Sequence, residues 1–278
     1  MNIPVPTLTR KVSDLEDQLG TKLLTRTTRK LTLTDAGEAY VATARRILEL
    51  VDEQEREAAG EFTTPRGELV IATSMLFGRL YVLPEVIRFL ALFPDINVKI
   101  MQSDRNVDLV DARVDLAVRI GNLPDSGMIA TRIGSFRFVT CASPDVLSRQ
   151  GVPQHPHELA NMPCVMFTGP MLSPYWRFRS PESGEYTTVD VVPRLQVSSP
   201  DSAAEAAMKG VGFTQLLHYH VADAVAAGKL RIVLEEFEAE PVPIHLVHVS
   251  RNLMPLKLRR FIDFVAPRLR EALSKLNA

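Results

Sequence analysis

From Gly67 to Gly121 the chain alternates β-branched runs with helix-patterned segments, and no other feature narrows the fold as much. LVIATS reads as a strand and LPEVIRFLALFP as a helix. INVKIMQSD is a second strand, and DLAVRIG a third behind a short helix around Val107–Ala112. Strands joined by crossover helices lie parallel, with the helices covering the sheet. Further on, MIATRIGSFRFVTCASP, PCVMFTG, GFTQLL, LRIVLEEF and PIHLVHVS read as strands. PDVLSRQG, PHELANM, SPDSAAEAAMKG and HVADAVAAG read as helices, and PLKLRRFIDFVAPRLREALSKL closes the chain as a basic helix. WRFRSPESGEYTTVDVVPRLQVSS predicts an antiparallel excursion turning at Glu182–Glu185. The expected fold class is α/β, in two lobes that each carry a sheet.

Composition sets outer bounds. A chain of 278 residues suits one large domain or two to three smaller ones, and 46 % hydrophobic with 23 % charged residues is ordinary for a globular protein. With a net charge of -1, any attraction to nucleic acid must come from a local patch. Cys141 and Cys164 form no CxxC pair, which argues against a disulfide framework and against a cysteine zinc site. MNIPVPTLTRK has no apolar stretch of signal-peptide length, and no run reaches the roughly 18–20 residues of a membrane span. The expected location is the cytoplasm, with no membrane partner.

The N-terminal part has a different pattern. Leu8, Val12, Leu15 and Leu19 recur at helical spacing, with Pro6 suited to a first turn and Gly20 to a stop. In TKLLTRTTRKLTLT the period changes to strand alternation at Leu31 and Leu33, and Lys22, Arg26, Arg29 and Lys30 form a basic patch with no acid between them. A helix followed by a basic ribbon suits a winged helix-turn-helix, with the helix in the major groove and the ribbon on phosphate. Charge and period alone also describe a solvated corner.

The wording is more specific than the pattern. PTLTRKVSDLEDQLGTKLLTRTTRKLTLTDAG resembles the signature of LysR-type transcriptional regulators. Thr7, Leu8, Thr9 and Arg10 match the start of the family's recognition helix. Leu15-Glu16, Leu19-Gly20, the basic wing and Leu33-Thr34-Asp35-Ala36-Gly37 follow without a gap. The resemblance implies that Pro6, Thr7, Thr9 and Arg10 face the groove of double-stranded DNA, and that Arg26, Arg29 and Lys30 contact phosphate. In the family two helices precede this one and build the core beneath Leu8, Val12, Leu15 and Leu19. If Met1 is the true start, each unburied Leu or Val forfeits about 1.5–3 kcal/mol, and DNA binding is expected to be weak or lost.

Thr34 suits an N-cap, with Asp35 favouring the positive helix end. Tyr40, Ala44, Ile47 and Val51 then step by four, three and four, as in a short coiled-coil seam or an ordinary helix packed on its own domain. The resemblance implies pairing with a second copy, in a homodimer or homotetramer. The expected domains are residues 1–34 (partial winged helix-turn-helix), 35–65 (linker helix and hinge) and 66–278. The last is an effector-binding domain related to periplasmic binding proteins. Its lobe I is residues 66–140 and 243–278, its lobe II residues 141–242, with crossings near Cys141 and Pro241.

GELVIAT, LPEVIRFLALFPDINV, DLVDARVDLAVRIGNLPDSGMIATRIG and AMKGVGFTQLL carry the likeness into this domain. It implies a small-molecule effector in the cleft, at strand ends and helix N-termini. The residues placed there are Thr73, Ser74, Met75, Ser103, Arg119, Phe167, Thr168, Ser199 and Ser202. Blander roles stand beside these: Ser199 as a helix cap, Thr73 as a turn, Arg119 in a structural ion pair. Arg119 points to an acidic ligand, Met75 and Phe77 to an apolar or aromatic one, and the effector's identity stays open.

Catalytic patterns are weak. His155/His157 and His218/His220 have HxH spacing without a third ligand at fixed distance, and KGVGF lacks a third glycine and a distal acid. GxSxG and HExxH do not occur. The expectation is a regulator and not an enzyme, with no cofactor and no metal. The alternative is a cytoplasmic small-molecule-binding protein that has lost DNA binding.

Overall fold

The computed structural model describes residues 5–26, 31–58, 64–104, 109, 112–123, 127–168, 175–249 and 254–276. By its internal contacts the chain divides into two units, Met1–Thr64 and Pro65–Ala278.

The first unit runs α1 (Val5–Leu19), β1 (Leu24–Arg26), β2 (Leu31–Leu33) and α2 (Asp35–Ala58), with β1 and β2 antiparallel. A buried carboxylate joins the helix to the ribbon. Glu16 accepts the Leu23 and Leu24 backbone N–H groups at 2.9 Å each and the Lys22 ammonium at 3.0 Å. The two amides and the ammonium hold its pKa below the ordinary value, Leu24 contributing most. The Thr34 hydroxyl caps α2 as expected: it accepts the Gly37 N–H at 2.9 Å and donates to the Lys22 carbonyl at 2.7 Å. Gly37 is needed because a Cβ there would lie 1.9 Å from the Leu23 carbonyl oxygen. Leu8 and Leu19 are exposed, while Val12 and Leu15 are half-buried.

The second unit starts with β3 (Gly67–Thr73), followed by a continuous helical stretch: α3 (Met75–Phe77), a wide turn over Gly78–Val82, and α4 (Leu83–Leu92). In the wide turn the Leu83 N–H reaches back five residues to the Gly78 carbonyl. A Cβ on Gly78 would meet the Thr73 methyl at 2.5 Å, so glycine lets the helix lie close to the strand end. Next come β4 (Ile96–Gln102), β5 (Leu116–Ile120), β6 (Ile129–Phe136), β7 (Phe138–Ala142), α5 (Pro144–Gln150) and β8 (Cys164–Phe167). The remainder is β9 (Trp176–Arg179), β10 (Tyr186–Val189), β11 (Pro193–Val197), α6 (Pro200–Met208), β12 (Phe213–Leu217), α7 (Ala222–Ala226), β13 (Arg231–Val233), β14 (Val242–His248) and α8 (Leu256–Leu276).

Ten of these strands form two five-stranded sheets, in the orders β4-β3-β5-β14-β6 and β11-β8-β12-β7-β13, and β9 with β10 forms a separate hairpin. The parallel pairs are β3 with β4 and β5 in the first, and β8 with β11 and β12 in the second. The first sheet packs Leu69, Ile71, Leu116 and Leu246 against Phe77, Phe89, Phe261 and Leu269 of its helices. The second packs Val139, Cys141, Val165 and Leu216 against Ala203, Ala204 and Ala207 of α6.

Two local expectations need correcting. The β9–β10 hairpin is antiparallel, but β11 leaves it and pairs in parallel with β8, because Leu195–Val197 continue the sheet and not the hairpin. PHELANM is the short helix that its pattern predicts, in 3-10 form over Pro156–Asn161. The chain first changes sheet at Arg137, the single residue between β6 and β7, and not near Cys141, which lies within β7. Its return runs through 234–241 and so includes Pro241. Residues 107, 108, 110 and 111 of the expected short helix lie outside the described residues.

Candidate functional site

In the first unit, Pro6, Thr9 and Arg10 are exposed on α1 and Thr7 is half-buried. Pro6 shares a helical face with Thr9 and Arg10, and Thr7 is one turn from Arg10. Arg26 ends β1, its backbone paired with Leu31. Arg29 and Lys30 lie outside the described residues. Along α2, Tyr40, Ile47 and Val51 are exposed and Ala44 is half-buried.

In the second unit the expected effector residues fall into two groups. Thr73 ends β3 as a buried residue, and its Oγ1 has no hydrogen-bond partner. Ser74 and the exposed Met75 follow at the helix start, and the Ser103 N–H donates to the Thr73 carbonyl at 2.9 Å. The other group belongs to the second sheet. Phe167 ends β8 opposite Val197 of β11. The Thr168 N–H and hydroxyl both donate to the Val197 carbonyl, at 2.8 and 3.2 Å, and so extend the β8–β11 pairing by one residue. Ser199 precedes α6 without a side-chain cap bond, and Ser202 is exposed in its first turn.

Arg119 joins neither group. Leu116, Val118 and Ile120 of β5 face the core containing Ile71, while Ala117 faces the opposite side with Leu109 and Val247. Strand alternation puts Arg119 on the Ala117 face, away from Thr73. Arg119 is therefore not placed to meet a ligand's acidic group beside Thr73.

Residues not foreseen join the two groups. Tyr219, in the turn after β12, belongs to the second sheet by sequence yet packs in the core of the first. Its ring stacks on Phe136 at 4.4 Å between centroids and meets Phe77 edge-on at 6.2 Å. Burial pushes the Tyr219 phenol well up, opposed by the nearby Ser74 hydroxyl, whose own Oγ has no hydrogen-bond partner. Beside it, His220 points Nδ1 toward Asp201 of α6 at 3.7 Å, too far for a hydrogen bond. Desolvation lowers the His220 pKa to about 4, against a smaller raising effect of Asp104, so the imidazole is neutral at neutral pH. Asp104 in turn accepts the Met75 N–H at 3.0 Å. The only sequence signal for these groups is that Asp201 and Asp104 each sit beside a strand end and a helix start.

A second cluster links the two crossings. Arg137 donates to both Glu238 oxygens, at 2.6 and 2.7 Å, and lies 3.5 Å from Glu235. The His218 backbone N–H donates to the Arg137 carbonyl at 2.9 Å. Desolvation, aided by Arg137, lowers the His218 pKa, while Glu238 and Glu235 oppose it. His218 and His220 thus face different neighbours, and the HxH pair has no shared site. His155 and His157 stack at 5.6 Å on an exposed turn. Among the described residues no group of three or more His, Cys, Asp or Glu could hold a metal ion.

Comparison with known proteins gives the family. Residues 63–270 match the LysR substrate binding domain, and residues 1–38 match the bacterial regulatory helix-turn-helix protein, lysR family. The chain is 32 % identical over 263 residues to the HTH-type transcriptional regulator CrgA of Neisseria meningitidis, covering 94 % of this chain and 87 % of that protein. It is 32 % identical over 268 residues to an HTH-type transcriptional repressor of Pseudomonas aeruginosa, covering 95 % and 84 %. Among solved structures, CrgA superposes with a TM-score of 0.65 at 31 % identity, covering 96 % of this chain and 90 % of that one. Full-length AphB, the Vibrio cholerae virulence activator, gives 0.65 at 31 %, covering 95 % and 89 %. A helix-turn-helix match at the head favours DNA binding over a binder that has lost it. The chain belongs to the LysR family of transcriptional regulators, with a DNA-binding helix-turn-helix head and an effector-binding domain.

Proposed function

We propose that a small effector binds where Thr73, Ser74 and Ser103 meet Ser199, Ser202 and Phe167, and that it shifts the angle between the lobes. The observation that carries this reading is Tyr219: it follows a strand of one sheet and is buried in the core of the other, so the lobes cannot turn without repacking it. An effector that prefers one packing shifts the population toward it.

In the same reading Pro6, Thr7, Thr9 and Arg10 enter the DNA groove, and Arg26, Arg29 and Lys30 neutralise phosphate. The 24-residue α2, with Tyr40, Ile47 and Val51 exposed, pairs with a second copy. Two linked heads raise the effective concentration of the second on a paired operator. The protein works in the cytoplasm as a binder and catalyses nothing.

Fluorescence anisotropy on the DNA upstream of its own gene, titrated with salt, tests this. Binding with a log–log salt slope of about -0.9 per phosphate contact, weakened by Arg10→Ala, is expected. Folded protein that binds no DNA more tightly than a scrambled duplex would instead favour the pure small-molecule binder.

A further inference from the structure

The charge around the cleft is not what an anionic effector would need. On the first lobe, the helix start that could receive an anion is already filled: the Asp104 carboxylate takes the Met75 N–H at 3.0 Å. On the second lobe, Asp201 stands in the first turn of α6, its side chain 56 % exposed, 3.7 Å from His220 Nδ1. The His220 side chain is only 6 % exposed, and its Nδ1 has no hydrogen-bond partner. The charge of Asp104, which is seated on the Met75 N–H beside Ser74, also reaches this imidazole, and both carboxylates reach Tyr219. Among the described residues, no lysine or arginine pairs with Asp104 or Asp201. Arg119 lies on the other face of its sheet.

Asp104, Asp201 and His220 add acceptors to a cleft whose serine and threonine hydroxyls can turn either way. A carboxylate accepts only, and a neutral imidazole accepts at its bare nitrogen. An anion here would meet two like charges. A purely apolar ligand would strip water from them and return nothing. An ammonium supplies three donors and one positive charge, which is what two carboxylates and a bare imidazole nitrogen can take.

We propose that the effector enters the cleft through a protonated amino group, held between Asp104, Asp201 and the unpartnered Nδ1 of His220. This rests on reading the cleft as the effector site, and it names the chemical class that the site takes.

Thermal unfolding of the full chain with L-lysine, putrescine and agmatine, set against glutarate and benzoate at millimolar concentration, tests it. At least one amine raises Tm by about 3–6 °C at ten times its Kd, and the carboxylates do not. Asp201→Asn and Asp104→Asn each weaken that amine roughly tenfold, as expected for loss of a charge partner. Asp201 is largely exposed, and Asp104→Asn keeps an oxygen for Met75, so both variants fold, with the ligand-free Tm as the check. Silence from all three amines, or an amine shift unchanged in both variants, overturns the proposal. A glutarate or benzoate shift that grows in Asp201→Asn sinks the ammonium class and leaves the cleft as effector site. A stabilising ligand that protects amides remote from Thr73, Ser199 and Tyr219 in hydrogen exchange would sink both.

Discussion

Arg137 forks onto Glu238, with Nε on one oxygen at 2.6 Å and Nη2 on the other at 2.7 Å, and so ties the two inter-lobe crossings to each other. Arg137 is the first crossing, and Glu238 lies within the second. A bidentate pair fixes direction as well as distance, which a lysine in place of Arg137 could not do.

Removing that fork should loosen the lobes. Arg137 keeps about a third of its side chain in water, so the loss on Glu238→Gln or Arg137→Ala is discounted to about 1–2 kcal/mol. Urea unfolding of the full chain measures it. Arg137→Lys should recover less than half, and full recovery would show that charge alone is enough.

His220 makes the protein sensitive to acid. Its pKa falls from 6.5 to about 4 on folding, so between these values the unfolded chain binds more protons. Stability therefore rises with pH across that window and is lost as pH falls from 6.5 toward 4, by up to about 3 kcal/mol from this group. Denaturant midpoints at pH 7 and pH 4.5 should separate for the parent chain and draw together for His220→Gln.

Glu16 gives the head its own acid response. Its folded pKa lies below 4.5, so its contribution is present above that value and is lost as pH falls through the lowered one. The Leu23 and Leu24 amides that it accepts should exchange faster with solvent as pH drops, after correction for intrinsic rates. In Glu16→Gln they should be fast already at neutral pH. Equal protection in the two proteins would mean that these amides are held by something else.

Gly37→Ala should separate the ribbon from α2. A methyl 1.9 Å from the Leu23 carbonyl forces the backbone to move, at about 1–3 kcal/mol. Circular dichroism melts should show the head unfolding at lower temperature, with DNA affinity falling in step.

Cys141 and Cys164 should be inert in the folded protein. Both thiols are buried, and desolvation pushes each pKa up to about 12. A thiol reagent should label neither under native conditions and both after denaturation. Native labelling faster than global unfolding would contradict this.

The sequence carried the fold because its signals are local. Gly67–Gly121 shows strand and helix periods within a few residues of one another, and Thr34 and Gly37 show a cap and a close approach within one helical turn. Glu16 shows less, because its partners are backbone N–H groups seven and eight residues away, which leave no mark in side-chain pattern. The cleft is harder still. Met75 and Asp104 meet across 29 residues, and Tyr219 and Phe136 stack only because two sheets fold together. Arg119 misled because a basic residue near a strand end says nothing of which face it takes. The crossing at Arg137 was hidden for a similar reason: strand-like residues continue through SFRFVT without a break.

One asymmetry between the crossings bears on how the domain can move. The outward crossing has a single residue, Arg137, whereas the return has 234–241. Strand backbone on either side of Arg137 is clamped in its own sheet, so the short crossing supplies only one residue's φ and ψ. The return is held as well: Leu234 is buried, Phe237 packs on the core of the second lobe, and Glu238 takes the Arg137 fork. Both crossings thus meet at one rivet, Arg137 on Glu238, and any turn of one lobe against the other about it travels farthest at the lobe ends most remote from it.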